Sequence, residues 1–81
     1  MLRDEIGSVA DALRDLGAAE TVAAATAGTA AAVLTRVGAG SGRRELFQAA
    51  ENATKAVDTQ RRAGGHLIRT AELLRWFAAQ V

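Results

Sequence analysis

The stretch Val33-Leu34-Thr35-Arg36-Val37-Gly38-Ala39-Gly40-Ser41-Gly42-Arg43-Arg44-Glu45-Leu46-Phe47 decides the fold, because an apolar rhythm stops within it and then starts again. Upstream the rhythm runs through Leu2, Ile6, Val9, Leu13, Leu16, Glu20, Ala23, Ala27, Ala30, Leu34 and Val37. Downstream it runs through Leu46, Ala50, Ala53, Val57, Gln60, Gly64, Leu67, Ala71, Leu74, Ala78 and Val81. Steps of four and three hold side chains on one helix face at a mean period of about 3.5, the seam of two helices packed side by side. Gly38, Gly40, Ser41 and Gly42 are the residue types that end helices and reverse chains. The pattern predicts an all-α fold, an antiparallel two-helix hairpin in one domain, with a helix over about 3–37, a turn at 38–42 and a helix over about 43–80. Ser8 and Asp11 have capping-box spacing, although Leu2 and Ile6 already share the apolar phase of Val9, Leu13 and Leu16. At roughly 1.5 Å per residue each arm is about 50 Å long.

Folding the chain back at this turn pairs Val37 with Leu46, Ala30 with Ala53, Ala23 with Gln60, Leu16 with Leu67 and Leu2 with Val81. One constant register serves both arms. The facing residues are Ala and Gly near the middle, which let backbones approach, and Leu, Ile, Trp and Phe toward the free ends. Gly17 and the Gly64-Gly65 pair fall at one level of this hairpin, and each glycine costs roughly 1 kcal/mol inside a helix relative to alanine. Two outcomes are open there: continuous helices with a kink or close approach, or four shorter helices in a compact bundle. The uninterrupted apolar phase favours the first.

Two helices bury little core, so a chain of 81 residues built this way is expected to associate, with a second copy or a similar helical hairpin, most simply as a four-helix bundle. Absence of cysteine excludes a disulfide framework and a thiolate metal site. Met1 to Gly7 holds Arg3, Asp4 and Glu5 around two large apolar residues, so no cleaved signal peptide is expected, leaving a cytoplasmic location and export without such a peptide both open. The longest uncharged run, Thr21 to Thr35, is 15 residues of mostly Ala and Thr, against the roughly 20 apolar residues of a membrane-spanning helix, so no membrane span is expected. Nine Arg against one Lys, with abundant Ala, is the residue usage of a GC-rich coding sequence, and a bacterial source is expected from composition alone.

Candidate functional residues are few. Glu20, Gln60 and Gly64, with Arg61 on the flank, form a polar layer in the seam, where a carboxylate is costly unless paired; Arg61 is the partner expected about one turn away. The layer either fixes register or stays wet through the gap at Gly64. His66 has no acidic or second histidine neighbour at metal-ligand spacing, and no Ser/His/Asp set stands out, so neither catalysis nor a metal or other cofactor is expected. Residues 1–42 hold three basic and five acidic residues, net −2, while residues 43–81 hold seven basic and four acidic, net +3. Lys55, Arg62 and Arg69 recur every seven residues, the spacing of a phosphate-binding stripe, but Glu51 and Asp58 precede Lys55 and Arg62 by four, the spacing of intrahelical ion pairs. The expected contact surface is Ile68, Leu73, Trp76 and Phe77 at the free end of the second arm, together with Phe47 near the turn, more large apolar residues than one seam can cover.

A cysteine-free, Ala-rich hairpin of two long helices, turning at Val37-Gly38-Ala39-Gly40-Ser41-Gly42, resembles in architecture the small Trp-x-Gly proteins of type VII secretion systems. That resemblance implies pairing of two hairpins into a four-helix bundle and export in the folded state. The family's Trp two residues before a glycine and its C-terminal Tyr have no counterpart here, so it transfers no functional residue. Type III secretion needle subunits are hairpins of similar length with a proline-containing turn, and this chain has no proline. The function expected is a non-enzymatic protein–protein interaction or assembly module, secretion-associated in its setting. Two other readings remain open: a nucleic-acid-binding hairpin using Arg43, Arg44, Lys55, Arg62 and Arg69, and a subunit of a helical filament or tube.

Overall fold

A computed structural model describes all residues from Met1 to Val81. The chain forms two α-helices and nothing else, α1 over Leu2–Ser41 and α2 over Arg44–Gln80, packed against each other along their length. Runs of Ala, Leu, Arg, Glu and Gln without proline supply the helical propensity, and the tertiary contact supplies the rest. The Cα envelope measures 59 × 13 × 12 Å and the radius of gyration is 18.0 Å, against about 12 Å for a compact chain of this length. The molecule is a rod whose surface is large for its mass.

Reversal of the chain takes two residues. Gly42 adopts the left-handed conformation, φ 67°, and donates its N–H to the Gly38 carbonyl at 3.0 Å. Arg43 comes next in extended backbone, and its carbonyl accepts from the N–H groups of Leu46 and Phe47, both at 3.2 Å, to start α2. Ser41 ties the turn together: its hydroxyl donates to the Gly38 carbonyl at 3.2 Å and accepts from the Arg43 N–H at 3.3 Å. The turn expected at 38–42 is therefore shorter than its glycine content suggested, and α1 runs on through Gly38 and Gly40. Only Gly42 has a positive φ; Gly38 is helical and packs against Leu46, where an added Cβ would lie 3.4 Å from the Leu46 backbone. Ser8 lies inside α1, which begins a full turn and more before the capping-box spacing of Ser8 and Asp11.

Both helices pass unbroken through Gly17 and Gly64-Gly65, so the four-short-helix alternative does not occur. Gly17 and Gly64, unlike Gly65, bring the two backbones into direct contact. A Cβ at Gly17 would stand 2.9 Å from the Gly64 carbonyl oxygen and 2.8 Å from Ile68 Cγ1, and one at Gly64 would stand 3.0 Å from the Gly17 carbonyl oxygen. These contacts set the register: Glu20 meets Gly64, as the fold-back of the sequence predicts, whereas Gly17 and Gly38 stand opposite Leu67 and Leu46 where it placed Leu16 and Val37.

The buried residues repeat with a period of seven in each helix: Ala10, Gly17, Ala24, Ala31 and Gly38 in α1, and Ala50, Val57, Gly64, Ala71 and Ala78 in α2. Beside this inner column lies a half-buried one, Ile6, Leu13, Glu20, Ala27 and Leu34 in α1, and Leu46, Ala53, Gln60, Leu67 and Leu74 in α2. In α2 the seam is the one read from the sequence. In α1 half of it is displaced by one residue: Val9, Leu16, Ala23, Ala30 and Val37 give way to Ala10, Gly17, Ala24, Ala31 and Gly38. The sequence pattern placed the larger residues inward, but a column of Gly and Ala lets the helices come closer and gain contact along the whole backbone. Val9, Leu16 and Val37 are consequently about half exposed, at 52%, 52% and 50%.

An 18-residue window of α1 is long and apolar enough to cross a membrane by length and composition alone. The expectation of no span rests on a different measure, the 15-residue length of the uncharged run Thr21–Thr35.

Close packing makes opposite predictions for glycines of the same helix. Gly17→Ala adds a methyl against backbone and is expected to lower stability by about 1 kcal/mol, the strain of overpacking outweighing the gain in helix propensity. Gly7→Ala, with nothing within 4 Å of the new Cβ, is expected to raise it by about 0.5–1 kcal/mol. Thermal melts monitored by circular dichroism check both; a rise for Gly17→Ala would contradict the close approach.

Candidate functional site

The inner and half-buried columns leave a third column exposed at one edge of each helix. In α1 it reads Leu2, Val9, Leu16, Ala23, Ala30 and Val37; in α2 it reads Ala49, Ala56, Ala63, Thr70 and Phe77. An antiparallel pair brings these two edges to the same side of the hairpin. A trough of about 290 Å³ confirms the geometry, since its walls take Ala30 and Ala56 from the edge columns together with Ala27, Leu34, Ala53 and Gln60 from the half-buried ones. Neither edge column contains a charged residue, and the half-buried columns contribute only Glu20. One side of a 59 Å rod is thus uncharged but for a single carboxylate.

The opposite side is different in kind. Its edge columns carry Arg14, Thr21 and Thr35 in α1 and Thr54, Arg61 and Arg75 in α2, with Asp11, Glu51, Asp58 and Glu72 one step further out. Arg75 donates to Asp11 across the two helices near their free ends. The threonine hydroxyls return to the helix: Thr21 donates to the Gly17 carbonyl at 3.0 Å, Thr35 to Ala31 at 2.9 Å and Thr54 to Ala50 at 2.9 Å. This side meets water with charge; the other meets it with methyl groups.

Residues singled out from the sequence are distributed over both sides. Phe77 stands in the uncharged edge column, and Leu73 is on the outer flank next to it. Trp76, 61% exposed, points away from α1 on the back of α2. Phe47 and Ile68 belong to the charged side, Ile68 half-buried over Gly17 and Phe47 half exposed near the turn. The five do not form one patch. What the sequence pattern did not reveal is the edge of α1: Val9, Leu16 and Val37 were assigned to the seam, although the uninterrupted Ala/Gly column one residue further on was the available sign that the seam was already filled.

The polar layer is also split. Glu20 and Gln60 lie half-buried on the uncharged side, whereas Arg61 stands on the charged side with its guanidinium over Gly28, 3.4 Å from where a Cβ would be. Glu20 and Arg61 therefore make no ion pair; the two ion pairs present are Arg75 with Asp11 and the α-amino group of Met1 with Glu5 at 3.8 Å. Gly64 separates the two sides because it lies in the inner column. The intrahelical pairs expected from Glu51 with Lys55 and Asp58 with Arg62 do not form either. Arg69 instead donates to His66 Nδ1 at 3.0 Å on the solvent side of α2. No group of three His, Cys, Asp or Glu is arranged to hold a metal ion. Comparison of the chain with known protein families, with characterised proteins and with solved structures finds no match.

Two neighbours on α2 separate the uncharged side from the rest of the surface. If that side is the one that docks, Phe77→Ala weakens self-association at least tenfold and Trp76→Ala less than twofold, as read by analytical ultracentrifugation. The reverse order would move the site to the back of α2. Asp11→Ala and Arg75→Ala, combined in a double-mutant cycle on thermal stability, should show a coupling of only about 0.2–1 kcal/mol, since both side chains are solvent-exposed.

Proposed function

We propose that the chain is a non-enzymatic protein–protein interaction module that docks its uncharged side on another helical hairpin, most simply a second copy of itself, closing a four-helix bundle. The observation that carries this reading is the pair of exposed, charge-free edge columns running the length of the rod. A helix that packs on one neighbour needs two apolar columns; α1 and α2 each have three, which is the stripe of a helix with two neighbours.

Areas support the same conclusion. The accessible surface is 5799 Å², against roughly 4,600 Å² for a folded monomer of 8.4 kDa. A side of 59 by 13 Å offers roughly 770 Å², close to the about 800 Å² per partner of a stable interface. No large side chain is fully buried within the hairpin; its core is Ala, Gly and one Val. Burying Leu2, Val9, Leu16, Val37 and Phe77 supplies the apolar contact that this thin core lacks. A small secretion-associated hairpin of the type VII kind is the setting we propose, on architecture alone.

Light scattering behind size-exclusion chromatography over a concentration series tests the reading. A discrete mass near twice 8.4 kDa is expected. Leu16→Glu combined with Ala30→Glu puts carboxylates into the edge column and is expected to raise the dissociation constant at least a hundredfold, whereas Ser8→Glu, on the solvent face, leaves it unchanged. A monomer at every concentration overturns the proposal. So does growth without a plateau, the mark of a filament, sedimentation with phospholipid vesicles, or duplex binding that falls steeply with salt.

A further inference from the structure

We infer that the back of α2, a face that self-association through the uncharged side leaves free, docks an acidic helix of a different protein. Carboxylates of that helix meet Lys55, Arg62 and Arg69, and an apolar residue beyond them covers Trp76. Spacing, unpaired charge and a pre-set arginine support the inference independently of one another.

Lys55, Arg62, Arg69 and Trp76 stand one heptad apart, and all four are exposed. The inner column of α2 keeps the same period of seven, so this outer column is as straight as the seam, with a side chain about every 10.5 Å. A second helix laid alongside repeats its own side chains in line at that interval. Other anionic chains do not match it. An extended peptide repeats about every 6.6 Å on one face, and a duplex strand places a phosphate about every 3.4 Å while winding away.

None of the three cations has an ion-pair partner within the hairpin. Glu51, Asp58 and Glu72 stand in the adjacent column, between the basic column and the charged edge. A phosphate chain or an anionic lipid surface, negative throughout, meets that acidic column together with the basic one. A polypeptide sets carboxylates against one and neutral side chains against the other, which is why the face suits protein.

Gly65 interrupts the acidic column at its middle. Unlike Gly64 it has no role against α1: a Cβ there would touch the Arg69 guanidinium, 3.5 Å from its Nη1. Arg69 lies over this gap and donates to His66 Nδ1 at 3.0 Å, so its guanidinium is held in place before a partner arrives and less freedom is lost on binding. The row ends on Trp76, 61% exposed, beside Leu73, 65% exposed, and tryptophan is a common anchor of protein interfaces.

Trp76 is the only tryptophan and the chain has no tyrosine, so its fluorescence reads this face alone. The probe is a helical peptide of Ala and Gln with Glu at three successive heptad positions and Leu at the fourth. It is expected to shift Trp76 emission to shorter wavelength with a dissociation constant below about 100 μM at about 50 mM salt, weakening about tenfold by about 500 mM. Arg62→Gln with Arg69→Gln is expected to weaken binding at least tenfold, and Arg14→Gln with Arg36→Gln, which removes the same charge from α1, less than twofold. Absence of a shift up to about 1 mM peptide overturns the inference. So does equal weakening by the two double variants, or a larger response to oligothymidylate or to phosphatidylglycerol vesicles than to the peptide. The Arg62→Gln, Arg69→Gln variant keeps its two-chain mass in light scattering, so loss of peptide binding and loss of self-association are read separately.

Discussion

Everything in this molecule depends on how closely two backbones can run. Gly17 and Gly64 stand carbonyl to α-carbon across the seam, and the columns that continue from them are Ala and Gly with a single Val. With so little side chain between the helices, contact is spread along about 50 Å of backbone instead of being concentrated in a core of large residues. The same choice displaces Leu16, Val9 and Val37 from the seam to the edge, where they leave apolar surface exposed. A close helix–helix contact and an exposed apolar edge are thus a single structural fact.

Sidedness arises from the same geometry. In an antiparallel pair each edge column meets its counterpart from the other helix, so the sequence's separation of charged from uncharged columns becomes a separation of two sides of a rod. Arg14, Arg61 and Arg75 with Asp11, Asp58 and Glu72 occupy one; Ala23, Ala30, Ala56 and Ala63 with Leu16 and Phe77 occupy the other. The Arg75–Asp11 pair at the surface contributes little to stability, but it fits the side on which it is found. Glu20 is the exception that the uncharged side retains, with no ion-pair partner in the hairpin and Gln60 on the neighbouring helix.

Much of the fold was legible in the residues. The rhythm of fours and threes, the glycine-bearing turn and the constant fold-back register specify two long antiparallel helices, and α2 buries the columns its sequence indicates. The site was less legible. Phe47, Ile68, Leu73, Trp76 and Phe77 stand out by size, yet size does not say which column faces which neighbour, and they are distributed around α2. Arg61 was placed beside Glu20 by its distance along the seam, while its rotation about the helix axis carries it to the other side.

By itself the sequence determined the class, the length of the arms, the place of the turn and, to within one residue, the register, because these come from periodicity and from where glycine and serine interrupt it. The tertiary structure alone decided which of two adjacent apolar columns in α1 would be buried. Periodicity cannot make that choice: Val9-Ala10, Leu16-Gly17 and Val37-Gly38 offer a large and a small candidate about 100° apart on the same helix, and both are apolar. Packing against α2 resolves it, since two helices gain more by closing the gap between their backbones than by inserting larger side chains into a wider one. That resolution fills the inner column of α1 with Gly and Ala and turns its larger residues outward, onto the uncharged side of the rod.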